Sequence, residues 1–165
     1  MADEREVLFE FDVQMTTGTL YDYLLKHTYS GLQGILATII GCLLIMNYVA
    51  GGKVLYLIAG IVVIIYIPGS LYLSAKRQML LTEAFKKPLH YCFYEEGIEV
   101  SQDDIVELQK WEAMEKAVST GKSIIVYTSK VKAAIFPRKD MEEQAARVIE
   151  IISTHMSPDK VKIKQ

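Results

Sequence analysis

Cysteine is scarce in this chain, neither sign of charge dominates, and two long stretches hold no charge at all. Two cysteines in 165 residues, Cys42 and Cys92, cannot build a disulfide framework. No metal-type partner is expected for either, so both are expected to be small buried hydrophobes, and no metal or cofactor is expected. A net charge of −2 leaves no broad basic surface, so nucleic acid is not an expected partner. The opening residues Met1-Ala2-Asp3-Glu4-Arg5-Glu6 are acidic and lack the basic-then-apolar order of a signal peptide.

Recognisable chemistry is missing as well. Gly121-Lys122-Ser123 ends like a phosphate-binding loop, but position 116 is Lys where that motif needs Gly, and a strand-like run follows. His27, His90 and His155 are scattered, and no helical or hairpin spacing pairs them with one another or with Cys92 as metal ligands. Asp103-Asp104 and Glu95-Glu96 read as solvated turns. Ser101, Ser119 and Ser123 have no visible base. The chain is therefore not expected to be an enzyme.

What is present is segregated hydrophobicity. Half the residues (51%) are hydrophobic, and mean hydropathy is +0.20 although 23% are charged. The apolar residues concentrate in two runs, 28–52 and 54–75, that contain no charged residue. A helix rises about 1.5 Å per residue, so roughly 20 residues cross the hydrocarbon core, and each run suffices. Backbone groups in lipid must be satisfied internally, which makes helix the expected form. A domain this small could hardly bury two helices apolar all round. Gly51-Gly52-Lys53 leaves almost no slack between the runs, so an antiparallel hairpin is expected.

Cation placement sets the expected sidedness. The turn offers Lys53 alone, whereas the opposite face offers Lys26, Lys76, Arg77, Lys86 and Lys87. Both termini are expected in the cytoplasm, with two spans of the cell membrane. Tyr48 and Tyr56 bracket the turn, and Tyr29 and Tyr72 mark the other ends. Ala37 and Gly41 form a small-xxx-small pair suited to close helix packing. Asn47 lies near the outer end, within reach of interfacial water, and Pro68-Gly69 is expected to bend or loosen the second helix. No Asp, Glu, Lys, Arg or His falls inside the membrane interior of either run, which disfavours a transporter. Lys76, Arg77, Lys86 and Lys87 are candidate contacts for anionic lipid, at about 1 kcal/mol each near the surface.

Outside the runs, Val7, Phe9, Phe11 and Val13 alternate with polar residues as in a half-buried strand. Residues 16–29 read as a helix with Thr16 or Thr17 as cap, and residues 76–86 as a helical stalk. Leu89, Tyr91 and Phe93 alternate in the next strand. Glu95-Glu96-Gly97 turns it into Ile98-Glu99-Val100. Strand signals follow at 105–111, Ser123–Tyr127 and Lys132–Phe136, the last stopped by Pro137. Asp140 is expected to cap a final helix in a capping box with Glu143. Met141, Ala145, Val148, Ile149 and Ile152 share one face of that helix, which should pack on a sheet. Pro158 marks its end, and 159–165 is expected to fray. The first strand is too apolar to stand alone, so it should pair with the sheet after the hairpin, giving about six strands and a C-terminal helix.

The layout resembles the YcxB-like family of small bacterial membrane proteins. The motif-bearing stretch is 93–139: Phe93-Tyr94-Glu95-Glu96-Gly97-Ile98-Glu99-Val100-Ser101, then Leu108-Gln109-Lys110-Trp111-Glu112, Ile125-Val126-Tyr127 and Ala134-Ile135-Phe136-Pro137-Arg138-Lys139. The resemblance implies a reduced pleckstrin-homology-type domain on a membrane hairpin and carries no catalytic residues. Gly97, Trp111 and Pro137 read as a turn, a core aromatic and a strand stop.

The expected fold is thus an α+β membrane protein, with a transmembrane hairpin inserted into a small cytosolic β-rich domain. Residues 1–29 form a strand and helix that join this domain. Residues 30–75 form the hairpin (about 30–50 and 54–75), 76–158 the YcxB-like domain and 159–165 a tail. The expected function is a non-enzymatic membrane-anchored module binding a protein, peptide or lipid headgroup, or alternatively a protective protein against a toxin. Membrane lipids are the expected partners, with a protein partner or self-association next.

Overall fold

In the computed structural model, residues 6–130, 132–141 and 144–163 are described. The expectations at Met1–Arg5, Glu143 and the last two tail residues lie outside them. The chain opens with β1 (Phe9–Val13) and α1 (Thr17–Ser30), then α2 (Leu32–Val49) and α3 (Val54–Leu81). A 3-10 turn at Glu83–Phe85 leads to β2 (Leu89–Phe93), β3 (Gly97–Gln102) and β4 (Ile105–Lys110). After a second turn at Trp111–Ala113 come β5 (Lys116–Ser119), β6 (Ser123–Tyr127) and β7 (Ala133–Pro137). The last elements are α4 (Arg138–Met141), α5 (Ala145–His155) and β8 (Val161–Lys162).

Thr16 caps α1, its Oγ1 accepting from the Thr19 amide at 3.2 Å and so satisfying a donor the helix leaves open. Gly31, in extended conformation, separates α1 from α2. α2 and α3 are 18 and 28 residues long and apolar enough to cross a membrane. Only 11% and 6% of their most apolar windows are buried inside the molecule. Core helices of a water-soluble fold would be mostly covered, so the pair presents its apolar side chains outward.

The two helices touch where both are glycine. A Cβ on Gly41 would press on the Ile64 side chain and lie 3.2 Å from the Gly60 carbonyl oxygen. A Cβ on Gly60 would come within 2.7 Å of the Gly41 carbonyl oxygen. The crossing is therefore Gly41 against Gly60, and Gly60 is the partner that sequence reading missed. Ala37 lies half-buried one turn away. α3 continues unbroken through Pro68.

The strands form two four-stranded sheets, ordered β1-β2-β3-β4 and β7-β6-β5-β8. Among the described residues this is eight strands where about six were expected. β1 pairs antiparallel with β2, Phe9 facing Phe93 and Val13 facing Leu89, so the strand before the apolar helices does join the sheet after them. Phe136 of β7 fills the space between the sheets, with ring centroids 5.6 Å from Phe11, 5.0 Å from Tyr91 and 5.5 Å from Phe93. Around it lie Ile124, Ile125, Val126, Val148 and Ile152, all buried. These interdigitating faces are the apolar core on which the fold rests.

Several expectations are corrected. The tail does not fray over its whole length: Val161 and Lys162 pair parallel with β5, and the Ala117 amide donates to the Lys160 carbonyl at 2.9 Å. The strand stop at Pro137 holds: β7 ends there, with the proline as its last residue opposite Ser123, where a missing N–H costs little. Asp140 sits within α4 rather than capping α5, whose N-cap is Gln144 with no side-chain bond. Gly97 opens β3 and is buried. Its α-hydrogen side faces β4 so closely that a Cβ would lie 2.9 Å from the Lys110 Cα.

Candidate functional site

Among the described residues, three of the places that gather polar side chains bear on function. The first is the end of α3. Lys76 and Arg77 are exposed there and, with Leu73, Leu80 and Leu81, line a surface groove of about 480 Å³. Cations alternate with exposed leucines directly past the uncharged run. Lys86 and Lys87 lie beyond this groove, after the helix. Lys86 pairs with Glu83, and Lys87 donates to Asp103 at 2.6 Å. Of the four candidate lipid contacts, the structure thus keeps Lys76 and Arg77 together and gives the other two carboxylate partners.

The second place is the start of α1. Thr16, Gly18 and Thr19 meet Lys122, Pro137, Arg138 and Lys139 around a cavity of about 410 Å³. Three cations and the positive end of a 14-residue helix converge, which is the chemistry of an anion receptor. At about 1.5 Å per residue, α1 holds this cavity about 20 Å from the start of α2.

The third place is the outward face of the first sheet. In β2, His90 and Cys92 point to the same side because strand side chains alternate. Their register partners in β1 are Asp12 and Glu10. Asp12 Oδ1 lies 2.7 Å from His90 Nδ1, and His90 Nε2 lies 3.2 Å from Cys92 Sγ. Glu10 Oε2 is 3.8 Å from both Cys92 Sγ and His90 Nε2. The expectation that no spacing pairs His90 with Cys92 is therefore corrected. The two-residue spacing of a strand does so, and pairing with β1 supplies two carboxylates. Burial pushes the Cys92 thiol above its usual range, the charges of Glu10 and Glu99 add to this, and a hydrogen bond from Tyr94 opposes it. That electrostatic setting is the reverse of what activates a thiolate nucleophile.

Trp111, His155 and His27 make packing contacts within the body. Trp111 Nε1 donates to the Tyr94 carbonyl at 3.0 Å, and its ring stacks on His155 at 5.1 Å. His155 Nε2 lies 3.0 Å from Glu95 Oε2, tying α5 to the β2–β3 turn. His27 stacks on Tyr127 at 6.0 Å and Tyr23 at 5.8 Å, so it docks α1 onto β6.

Two packed sheets, a closing helix and an inserted apolar helical pair define the class: an α+β body carrying two helices able to span a membrane. The family model described as YcxB-like protein matches residues 93–152, from the end of β2 to the buried Ile152 of α5. The resemblance read from the motifs is thereby shown over the segment that carries them. No curated protein and no solved structure matches the chain.

Proposed function

We infer that the chain is a non-enzymatic binding module anchored in the cell membrane. The α2–α3 hairpin crosses the bilayer twice, both termini lie in the cytoplasm, and the two-sheet body is of the pleckstrin-homology type. Two four-stranded sheets followed by a C-terminal helix support that last reading. The pairing of β1 with β2 supports a common side for both flanks, because it ties together the residues entering and leaving the hairpin.

The ligand is anionic phospholipid at the membrane surface. One observation carries this: α3 runs past its uncharged stretch into a groove of Lys76 and Arg77 set among exposed Leu73, Leu80 and Leu81. Leucines there gain by entering the acyl boundary while the long cationic side chains reach the headgroups. Each cation near an anionic surface contributes about 1 kcal/mol.

The test is lipid competition on the full chain in nanodiscs of phosphatidylcholine with or without phosphatidylglycerol. The native chain should enrich phosphatidylglycerol around itself, and Lys76→Gln/Arg77→Gln should abolish the enrichment without releasing the protein. Equal lipid shells for both proteins would refute the reading.

A further inference from the structure

We propose that Glu10, His90 and Cys92 form a binding site for a divalent transition-metal ion, Zn2+ being the ion their donor set suits best. The three offer one carboxylate oxygen, one imidazole nitrogen and one sulfur, all within 4.8 Å of one another. Zinc binds sulfur at about 2.3 Å, imidazole nitrogen at about 2.0 Å and carboxylate oxygen at about 2.1 Å in tetrahedral geometry. Such an ion separates its donor atoms by about 3.4–3.6 Å. The separations here are 3.2, 3.8 and 3.8 Å, so an ion can enter with adjustments of a few tenths of an ångström.

Two further features distinguish this cluster from an ordinary strand pair. Asp12 binds the His90 Nδ1 edge, the carboxylate–histidine arrangement that orients a metal-binding ring and leaves Nε2 for the ion. The ring's other edge faces Cys92 and Glu10. Charge also balances, since one thiolate and one carboxylate neutralise a 2+ ion. Magnesium and calcium prefer all-oxygen shells, whereas a sulfur and a nitrogen favour zinc. Glu10 and Asp12 are exposed and Cys92 is buried, so the ion enters from solvent and a water completes its shell.

The site lies across the β1–β2 pairing, which closes the chain around the helical hairpin. A bound ion would therefore clamp the first strand to the rest of the sheet. The inference is independent of the lipid reading, because the detergent-solubilised chain reports metal directly.

The experiment uses the full chain in detergent with Cys42→Ser, which leaves Cys92 as its single cysteine. Co2+ is the probe. The expected result is one Co2+ per chain, with a near-ultraviolet sulfur-to-cobalt charge-transfer band, tetrahedral d–d bands and displacement by stoichiometric Zn2+. Cys92→Ser should remove the band. Asp12→Asn should weaken Zn2+ binding by about 10- to 100-fold, and Glu10→Gln should weaken it too. A cobalt complex with no sulfur band, or Zn2+ affinity unchanged in both carboxylate variants, would overturn the proposal. Should Cys92→Ser fail to fold, the two exposed carboxylate variants decide.

Discussion

Gly97 shows how one residue can be recognised for one reason and required for another. Beside Glu95-Glu96 it reads as a turn glycine, yet it is buried at the head of β3. An added Cβ would strike the Gln109 carbonyl group, 2.8 Å from its carbon, and lie 2.9 Å from the Lys110 Cα. Both obstacles are backbone, so little can yield. Gly97→Ala should cost about 2–3 kcal/mol, measured by denaturant unfolding of the solubilised chain. Tyr127 gives a pH prediction at the same scale. Burial first, and the neighbouring Tyr23 second, push its hydroxyl from 10.0 up to about 12. The folded state then holds a proton that the unfolded chain has lost. The associated stability is complete below pH 10 and disappears as pH rises towards 12. Tyr91 shifts the same way by burial. Tyr127→Phe should flatten this alkaline loss, followed by unfolding midpoints at increasing pH. The acid–thiol–imidazole cluster was invisible at this scale, because Glu10 and Cys92 are far apart in sequence and meet only through strand register.

Among the elements, the longest were the most legible. Length and lack of charge located both apolar helices, with α3 extending to Leu81 because nothing after Ala75 breaks it before Thr82. The alternation in 7–13 and 89–93 foretold β1 and β2, and the apolar face of the first strand foretold that it joins the later sheet, where its partner is β2. Shorter elements escaped. Lys116–Ser119 is only four residues long, and Val161–Lys162 only two, which is too short for a period to register. β8 exists through its partner: Val161 lies beside Ala117, and Lys160 Nζ donates to the Met114 carbonyl at 3.0 Å. Ending the chain at Pro158 should expose the edge of β5 and cost about 1–2 kcal/mol of unfolding free energy. The helix crossing offers a paired comparison. Gly60→Leu places a side chain against the Gly41 backbone, whereas nothing lies within 4 Å of a Cβ at Gly69. The first change should lower the thermal midpoint in detergent clearly, by an overpacking cost of about 1–3 kcal/mol, and Gly69→Leu should leave it nearly unchanged.

At the scale of the whole molecule, the chain is a two-sheet body interrupted after its first strand and first helix by a greasy hairpin. Hydropathy foretold the hairpin itself, because nonpolar surface of this extent has no counterpart inside so small a fold. What hydropathy does not carry is the closing of the body around the hairpin, which depends on Phe11, Tyr91, Phe93 and Phe136 meeting across the sheets. Anchoring follows if the exposed faces of α2 and α3 prefer lipid, and both flanks then share a side. The most direct measurement labels intact cells with a membrane-impermeant maleimide, comparing Lys53→Cys with Asp159→Cys in a Cys42→Ser background. Lys53→Cys should label in intact cells and Asp159→Cys only after permeabilisation. Labelling of Asp159→Cys from outside, or release of the chain from membranes by alkaline carbonate, would contradict the account.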